Sequence, residues 1–448
     1  MAMPQKNLNT VENWKELVRL GVDYRNNYGN AKNWHTYRQW YRNKFDVPDY
    51  NFLNEYLPYN ITYMTAKTIV PSIYFRNPVV SINPRYGKSK DINMRAKVVE
   101  AVDNWLIQEL NLKKVMKQAI LEAFFTGKTF LKVGYDSQYG FSPDHKSGIK
   151  GITDSTLSFL SKNKNDKQRI EYNTDIKAGM PFVTNRRAEH IAVPFGTESL
   201  NDCWYLADMY IRCLEDVKKD MKYKNTENLM GTHIEFLKQG DILKQWMHDL
   251  NKEGNHIELV EIHDVKRREV KVFSPAHDKW LRAPESDLLQ IEGLPYVELS
   301  FNDDPEHFWS IPDAHLLAPL QKELNEVNNQ ARMHRNIAIA KLFYDKNMIG
   351  QAEFEKLLDG APIAAIGVDG DPSSVIQQFT PGIPNELVEW FMLKRQDARE
   401  IVGLPKLELG LENSSKRLSA TESAIIGAQQ DQSTSERRDI VADVFVPQ

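Results

Sequence analysis

A long helix near the middle of the chain constrains the fold most. The segment from Ile311 to Ala340 reads IPDAHLLAPLQKELNEVNNQARMHRNIAIA. Pro312 and Asp313 predict its start, because an Asp cap accepts a backbone N–H and suits the positive end of a helix. Apolar residues then recur at spacings of three and four, at Leu317, Leu320, Leu324, Val327 and Ala331. This narrow seam predicts that one side of the helix packs against neighbours.

A second stripe on the same helix carries amides and a cation, at Asn325, Asn329, Arg332 and Asn336. An ordinary surface helix would carry Glu and Lys there. Amide side chains form hydrogen bonds but hold no fixed charge. We therefore predict that this stripe lines a neutral, water-filled channel. A helix half buried in an ordinary globular domain is the alternative.

Composition narrows the classes of protein that the chain can belong to. Its 448 residues predict roughly two or three domains. Hydrophobic content of 41% with 26% charged residues is typical of soluble globular proteins. A net charge of -4 argues against a protein that grips nucleic acid by neutralising phosphates. It leaves room for a protein that touches DNA loosely.

The two cysteines, Cys203 and Cys213, match no zinc spacing, so we predict reduced thiols with packing roles. The first ten residues have no apolar core, and no secretory signal is predicted. No stretch approaches the roughly 20 apolar residues of a membrane span.

The N-terminal half predicts helices followed by strands. An aromatic stripe between Trp34 and Phe45 indicates a packing face, and a helix after Asn60 should stop near Val70 because Pro71 follows. Residues 79–82 predict a short strand. A long amphipathic helix follows over 92–126, with a break at Asn111. Its apolar face carries Val98, Val102, Trp105, Leu106 and Leu110.

The middle of the chain predicts mainly β structure. Residues 136–178 are polar and indicate an exposed loop or insertion. Strands are expected around 130–135, 181–183, 191–194 and 204–212, and a helix should begin near Leu214. Alternating patterns from His256 predict a hairpin with Val265–Arg268 at its turn, then a strand over 296–301. The basic turn favours a solvated hairpin tip, and a surface that faces phosphates or a partner is the alternative.

Sequence motifs for catalysis are weak. Gly127–Thr129 resembles the end of a phosphate-binding loop, but Glu122 stands where the first glycine belongs, and a helix rather than a strand comes before it. Asp303, Asp304 and Glu306 beside His307 fit an exposed turn better than a metal or acid–base site. We therefore predict no enzymatic activity, no cofactor and no metal.

The last two helices also leave sequence signals. Pro384 and Asn385 predict the start of a helix that ends at Gly403, and Ser419 with Glu422 forms a capping box. The final helix then carries small residues at Ala420, Ala424, Gly427 and Ala428. Small side chains let another helix approach closely, so these four are candidate subunit contacts, with packing inside one subunit as the alternative.

Four segments in order resemble the portal proteins of tailed bacteriophages, the rings at the capsid vertex through which DNA passes. They are YNITYMTAKTIVPSIYFRNP, DCWYLADMYIRCLEDVKKDM, PYVELSFNDDPEHFWSIPDAHLLAPLQKELNEVNNQARMHRN, and GLPKLELG followed by SATESAIIGAQQDQSTSERRDIV. The third is the most specific, since a strand, an acidic turn and an aromatic-Ser-Ile-Pro segment lead into the long helix.

The resemblance implies a mixed α+β, mostly helical subunit with a wing, a helical stem and a small β-containing clip, assembled as a ring of about twelve copies. On this basis residues 1–213 form the N-terminal wing, 214–250 hold the first stem helix and 251–310 form the clip and adjoining wing strands. Residues 311–342 form the second stem helix, 343–418 the tunnel-loop and wing region, and 419–448 the start of a helical crown.

The resemblance also implies partners and a location. The ring docks a terminase, then head–tail adaptor or tail proteins, and contacts major capsid and scaffolding proteins. Double-stranded DNA passes through it without specific binding, in the virion and, during assembly, in the host cytoplasm. Another head–tail adaptor or capsid protein is the nearest alternative. A nucleotide-dependent enzyme that uses Gly127–Thr129 is the competing class.

Overall fold

A computed structural model describes most of the helices and strands of this protein. The described residues are 8–28, 33–46, 56–74, 77, 79–84, 89–135, 181–220, 222–229, 231, 235–237, 256–287, 293–337, 341–344, 351–352, 355, 376–379, 384–403 and 434–444. The chain divides into two compact units. The first comprises Met1–Gln39, Met64–Leu316 and Val402–Gln448, and the second comprises Trp40–Tyr63 and Leu317–Ile401.

Helices open the chain. They are α1 (Val11–Asn27), α2 (Trp34–Tyr41), α3 (Ile61–Ile73), α4 (Lys90–Glu109) and α5 (Leu112–Thr126). Asn111 separates α4 from α5 with a positive φ of 50°, a conformation that Asn tolerates better than most residues. The predicted break at this residue is therefore confirmed. A short helix, α6 (Leu214–Lys219), and a C-terminal helix over 434–443, α9, complete the described helices of the first unit.

Two antiparallel sheets form the β part of the first unit. The three-stranded sheet has the order β2-β1-β8, from β1 (Lys128–Tyr135), β2 (Pro181–Arg187) and β8 (Tyr296–Ser300). The five-stranded sheet has the order β3-β4-β5-β6-β7. Its strands are β3 (Ile191–Ala192), β4 (Tyr205–Cys213), β5 (His256–Asp264), β6 (Glu269–Phe273) and β7 (Arg282–Ser286). The hairpin predicted from His256 is confirmed, with Val260 opposite Phe273 and Asp264 opposite Glu269.

Three hydrophobic clusters form the core of this unit. One packs α1 onto the five-stranded sheet through Trp14, Val18, Val260 and Ile262, among others. The helix lies close to the sheet because Gly21 has no side chain, and a Cβ there would meet the Val193 carbonyl oxygen at 2.6 Å. A second cluster holds Phe308 and Trp309, directly before the long helix. A third surrounds Tyr223 and includes residues from the end of β4 and the beginning of β5.

The second unit is built on the long helix. This helix, α7 (Asp313–Ile337), begins in the first unit, and its residues from Leu317 onward belong to the second. The unit also contains a two-stranded antiparallel pair, β9 (Lys341–Tyr344) with β10 (Ile376–Phe379), and the helix α8 (Asn385–Ile401). The predicted starts of α7 at Asp313 and of α8 at Asn385 are confirmed, and Gly403 follows α8 with a φ of 69°.

Two expectations about local structure are wrong. Helix α3 continues through Pro71 to Ile73, since a proline this close to the helix end removes only one backbone donor. Residues 79–82 do not form a strand, because their backbone bonds to side chains of α4 instead. The helix predicted to begin near Leu214 is confirmed as α6, and it ends at Lys219, where Asp220 accepts a hydrogen bond from the backbone N–H of Lys222 and starts a turn.

The polar region 136–178 and most of 238–255 lie outside the described residues. The same is true of the capping box at Ser419 and Glu422.

Candidate functional site: the long helix and the exposed surfaces

Amides on α7 hold an extended segment of the same unit. Asn325 Oδ1 accepts from the backbone N–H of Tyr59 at 2.8 Å, and Asn329 Oδ1 accepts from that of Leu57 at 3.0 Å. Gln321 donates to the Tyr59 carbonyl at 2.6 Å and accepts from the Thr62 N–H at 3.1 Å. Side chains four residues apart on a helix lie on one side. Their amides therefore replace the neighbouring strand that an extended backbone would otherwise need.

This arrangement contradicts the predicted channel lining for two residues. Asn325 and Asn329 are each 3% exposed. Asn329 bonds to backbone through both its amide oxygen and its amide nitrogen, and Asn325 through its oxygen, so neither buried side chain has surface left for a channel. Arg332 is half-buried, and the side chain of Asn336 lies outside the described residues. The amide stripe on α7 is thus a packing surface within the chain, at least as far as Asn329.

The predicted packing seam of α7 is largely buried. Leu317 and Leu324 are fully buried and Val327 nearly so, whereas Leu320 and Ala331 are half-buried. Exposed positions on another side are Pro319, Lys322, Glu326, Gln330 and Met333, and Arg335 is exposed elsewhere on the helix. The other candidate contacts, Ala420, Ala424, Gly427 and Ala428, lie outside the described residues.

Helix α4 differs most from the pattern expected of an amphipathic helix. Polar side chains of α4 bond to the neighbouring chain segment, whereas most of its apolar side chains are exposed to solvent. Asn104 accepts from the backbone N–H of Val80 at 3.0 Å and donates to its carbonyl at 2.8 Å. Glu100 accepts from the N–H of Ile82 at 3.0 Å. Six large apolar side chains of α4 are exposed, namely Ile92, Met94, Val98, Val99, Val102 and Trp105. We call these six residues the α4 apolar face. Met94, Val98, Val102 and Trp105 lie on the side opposite to Asn104, together with the exposed Asp91 and Arg95.

The sequence predicts that α4 is amphipathic but not which side packs. Single exposed apolar residues are normal on a protein surface, but a contiguous row marks a contact with something else. Met94 is 69% exposed and Trp105 50% exposed. The α4 apolar face is therefore a candidate interaction surface.

A buried cluster of charges links the two sheets of the first unit. Lys132 Nζ lies 3.3 Å from Asp208 Oδ2 and 2.8 Å from Glu261 Oε1. Arg186 Nε donates to Asp208 Oδ1 at 2.9 Å, and the Tyr296 hydroxyl donates to Asp208 Oδ2 at 3.1 Å. Strands β1, β2 and β8 of one sheet thus meet β4 and β5 of the other through charge-assisted hydrogen bonds.

Electrostatics keep these carboxyl groups ionised. Burial alone would raise the pKa of Asp208, but the positive charges of Arg186 and Lys132 overcome it and hold that pKa below its usual value. Lys132 likewise holds the pKa of Glu261 well below its usual value against burial. Sequence reasoning missed this cluster, although charged residues at inward positions of apolar strands were a usable signal.

The Gly127–Thr129 segment has a structural explanation. Gly127 ends α5 with a φ of 81°, and a Cβ there would lie 2.0 Å from the Ser310 carbonyl oxygen. Lys128 is buried, with its Nζ 2.9 Å from Glu298 Oε2 and 4.3 Å from the centre of the Phe308 ring. The glycine thus allows close packing, and the lysine already has an anionic partner.

The part of the chain that the structure describes has no cluster suited to a metal ion and no membrane-spanning helix. No group of three His, Cys, Asp or Glu side chains there is placed to hold a metal ion. No described helix is both long enough and apolar enough to span a bilayer. Cys203 and Cys213 are free thiols.

Comparisons with known proteins give a structural likeness but no match by sequence. No protein-family model matches the sequence, and no curated protein matches it. Among solved structures, the chain is similar to a chain from the virion of a native gene transfer agent particle, with 8% sequence identity and a TM-score of 0.33. The likeness covers 84% of this chain and 77% of that one. At this TM-score it carries no argument about fold or function.

Proposed function

We propose that this chain is a structural subunit of a phage-like virion, and more specifically that it forms the portal ring through which DNA enters and leaves the capsid. Its partners are then other copies of itself, a terminase motor, and head–tail adaptor or tail proteins. DNA passes without being gripped. The ring holds no catalytic site of its own, and ATP hydrolysis belongs to the motor.

The α4 apolar face is the observation that carries this proposal. Each fully buried apolar side chain of this size contributes about 1.5–3 kcal/mol relative to an exposed one. Met94, Val98, Val102 and Trp105 form one row at spacings of three and four, on a helix whose Asn104 already bonds within the chain, and such a row fits a subunit whose surface is completed by a neighbour. This feature supports an assembly. The ordered segments that resemble portal proteins support the particular kind of assembly.

Charge supports the passage of DNA rather than its capture. A chain with a net charge of -4 does not concentrate phosphates, and each phosphate contact in a channel would add affinity through counterion release. The exposed side of α7 mixes a cation, an anion, an amide and a thioether, at Lys322, Glu326, Gln330 and Met333. With Asn325 and Asn329 buried, we propose this side as the part of the stem helix that faces the channel.

Two other functions make different predictions. A head–tail adaptor or another capsid protein would also assemble and would share the α4 apolar face. An enzyme that uses the Gly127–Thr129 segment would bind a nucleotide through Lys128. The ion pair between Lys128 and Glu298 favours the structural role, because nucleotide binding would have to break it.

Sedimentation of the purified chain, with a parallel thermal-shift assay, separates these possibilities. The portal proposal predicts a closed oligomer of about twelve chains and no stabilisation by ATP with Mg²⁺. An enzyme would be stabilised by saturating nucleotide, by about 2.7 kcal/mol at a hundredfold excess over Kd. That stabilisation would disappear in Lys128→Ala. A chain that stays monomeric and is stabilised by ATP contradicts the proposal.

A further inference from the structure

Three consecutive cations stand at the tip of the β5–β6 hairpin. Lys266, Arg267 and Arg268 are all exposed. We call them the basic tip. Arg268 has a positive φ of 52°. This left-handed conformation costs a residue with a side chain about 1–2 kcal/mol and is usually adopted by Gly or Asn. The hairpin turn sets this conformation, since the backbone N–H of Arg268 donates to the Val265 carbonyl at 3.4 Å.

The tip is held in place by the surrounding fold. The backbone N–H of Arg267 donates to Asp264 Oδ1 at 3.2 Å, and its guanidinium donates to Asn9 Oδ1 at 3.0 Å. Lys266 Nζ lies 5.2 Å from the centre of the Trp204 ring. Rigid cations lose less entropy when they bind than flexible ones do.

Three carboxylates close to the tip are engaged with other cations. Asp264 lies 3.0 Å from Lys271 Nζ, and Glu269 lies 3.5 Å from the same atom. Glu285 pairs with Arg282 at 3.1 Å. Within the described part of the chain, no carboxylate forms an ion pair with the basic tip.

A matching acidic turn follows β8 in the same unit. Asp303, Asp304 and Glu306 are exposed or half-exposed. We call them the acidic turn. Asp303 accepts from the hydroxyls of Ser300 and Ser310 at 2.6 and 2.9 Å, and Asp304 accepts from the backbone N–H of Glu306 at 3.0 Å. These bonds fix the turn, and Glu306 extends from it.

Helix α1 separates the two charged features. Arg267 bonds to Asn9, just before the helix, whereas Asp304 accepts from the hydroxyl of Tyr28, just after it, at 3.5 Å. A helix of 17 residues is about 25 Å long. The basic tip therefore cannot reach the acidic turn of its own chain, and the two features lie at opposite ends of one element.

A protein partner fits the basic tip better than duplex DNA. Proteins that hold duplex DNA make roughly six to ten phosphate contacts, and three cations on a chain of net charge -4 fall short of that. Two guanidinium groups beside a lysine suit a cluster of two or three carboxylates, because arginine pairs with a carboxylate through two parallel hydrogen bonds.

We propose that the basic tip of one copy binds the acidic turn of a neighbouring copy, as a head-to-tail contact around the ring. Two different surfaces that complement each other form a heterologous interface, and such an interface builds a ring when the rotation between copies closes. This inference rests on the proposed ring and names one of its contacts.

Sedimentation equilibrium of the full chain at low and high salt tests this contact. The tip variant combines Lys266→Glu with Arg268→Glu and reverses the sign of the tip. The turn variant is Glu306→Lys. Each alone should weaken association by about tenfold or more at low salt, with less effect at high salt. The control combines Lys113→Glu with Lys114→Glu in the first turn of α5, where acids suit the helix end, and it should associate like the wild type.

The combined variant gives the sharpest readout. Glu306→Lys weakens association in the wild-type chain, but in the tip variant it should strengthen association, because it then reduces a repulsion between like charges. Identical assembly of the wild type and the tip variant would overturn the contact and leave the ring in place. A tip variant that assembles normally but loses affinity for a 30-base-pair duplex would instead assign the tip to DNA. A wild type that stays monomeric would overturn both proposals.

Discussion

At the scale of single residues, Asn325 and Asn329 show how a sequence pattern can be read correctly and assigned to the wrong surroundings. The amide stripe is real, and its neutral hydrogen-bonding chemistry is used. Its partners are the backbone groups of Leu57 and Tyr59 rather than water in a channel. An unpaired backbone group in a buried position is costly, so a row of amides beside an extended segment is as good an explanation as a wet channel.

Asn329→Asp distinguishes these two roles. Asn329 Nδ2 donates to the carbonyls of Asn325 at 2.7 Å and Leu57 at 3.3 Å, and a carboxylate would face both oxygens without a proton to donate. We expect a loss of about 2 kcal/mol in the free energy of unfolding, measured with urea. Gln330→Glu makes the same chemical change at an exposed position of the same helix, and it should cost no more than about 0.5 kcal/mol. Equal free energies of unfolding of the two variants would show that Asn329 is exposed to solvent rather than buried.

Glu258 predicts a dependence of stability on pH. Burial raises its pKa to about 7, although backbone N–H groups of Glu235, Phe236 and Leu237 donate to it and favour the ionised form. Because the folded chain then holds a proton that the unfolded chain has released, this residue contributes less stability as pH rises from about 4.5 to about 7.

Thermal unfolding at a series of pH values measures this effect. The free energy of unfolding of the wild type, minus that of Glu258→Gln, should fall by on the order of 2–3 kcal/mol as pH rises across that window. A difference that is constant with pH would show that the three N–H donors keep Glu258 ionised throughout.

At the scale of elements, α4 tests whether a single subunit is stable without a neighbour on its exposed apolar side. The α4 apolar face should tolerate polar substitution in the isolated subunit, because its side chains are already in water. Val98→Ser combined with Val102→Ser should change the free energy of unfolding of the monomer by less than about 0.5 kcal/mol while abolishing assembly. Ile107→Ser lies on the packed side of the same helix and should cost about 2 kcal/mol or more. Destabilisation of the monomer by the double variant would place α4 inside the subunit core.

Most element boundaries could be predicted because their signals are local. Asn111 between two helices, Asp313 at a helix start, Gly403 after a helix end and the hairpin turn at Val265–Arg268 all depend on residues within a few positions. The failures depend on distant partners. The sequence of residues 79–82 predicts a strand because these residues are mostly apolar. Their backbone N–H groups instead donate to the side chains of Asn104 and Glu100 of α4, which replace the bonds of a neighbouring strand. Pro71 reads as a stop because its position in the last turn could not be known.

The candidate sites show the same division. Sequence periodicity identified the apolar faces of α4 and α7, but not that one is bare and the other buried, since burial depends on the rest of the fold. The buried cluster around Asp208 needs five strands from two sheets to come together, and their spacing along the chain carries no sign of that meeting.

At the scale of the whole molecule, three surface features point to association with other copies. The α4 apolar face is uncovered, the basic tip and the acidic turn complement each other at a distance that one chain cannot span, and the net charge of -4 suits a conduit better than a DNA-binding protein. The proposed portal ring would give these features a common purpose.

End-on electron microscope images of the purified full-length chain test the central proposal, that copies stand side by side around an open channel. The account predicts closed rings of about twelve subunits with a central hole wide enough for duplex DNA, roughly 20 Å or more given the groove dimensions of B-form DNA. Single particles of one-subunit mass at micromolar concentration, or closed assemblies without a central opening, would contradict it.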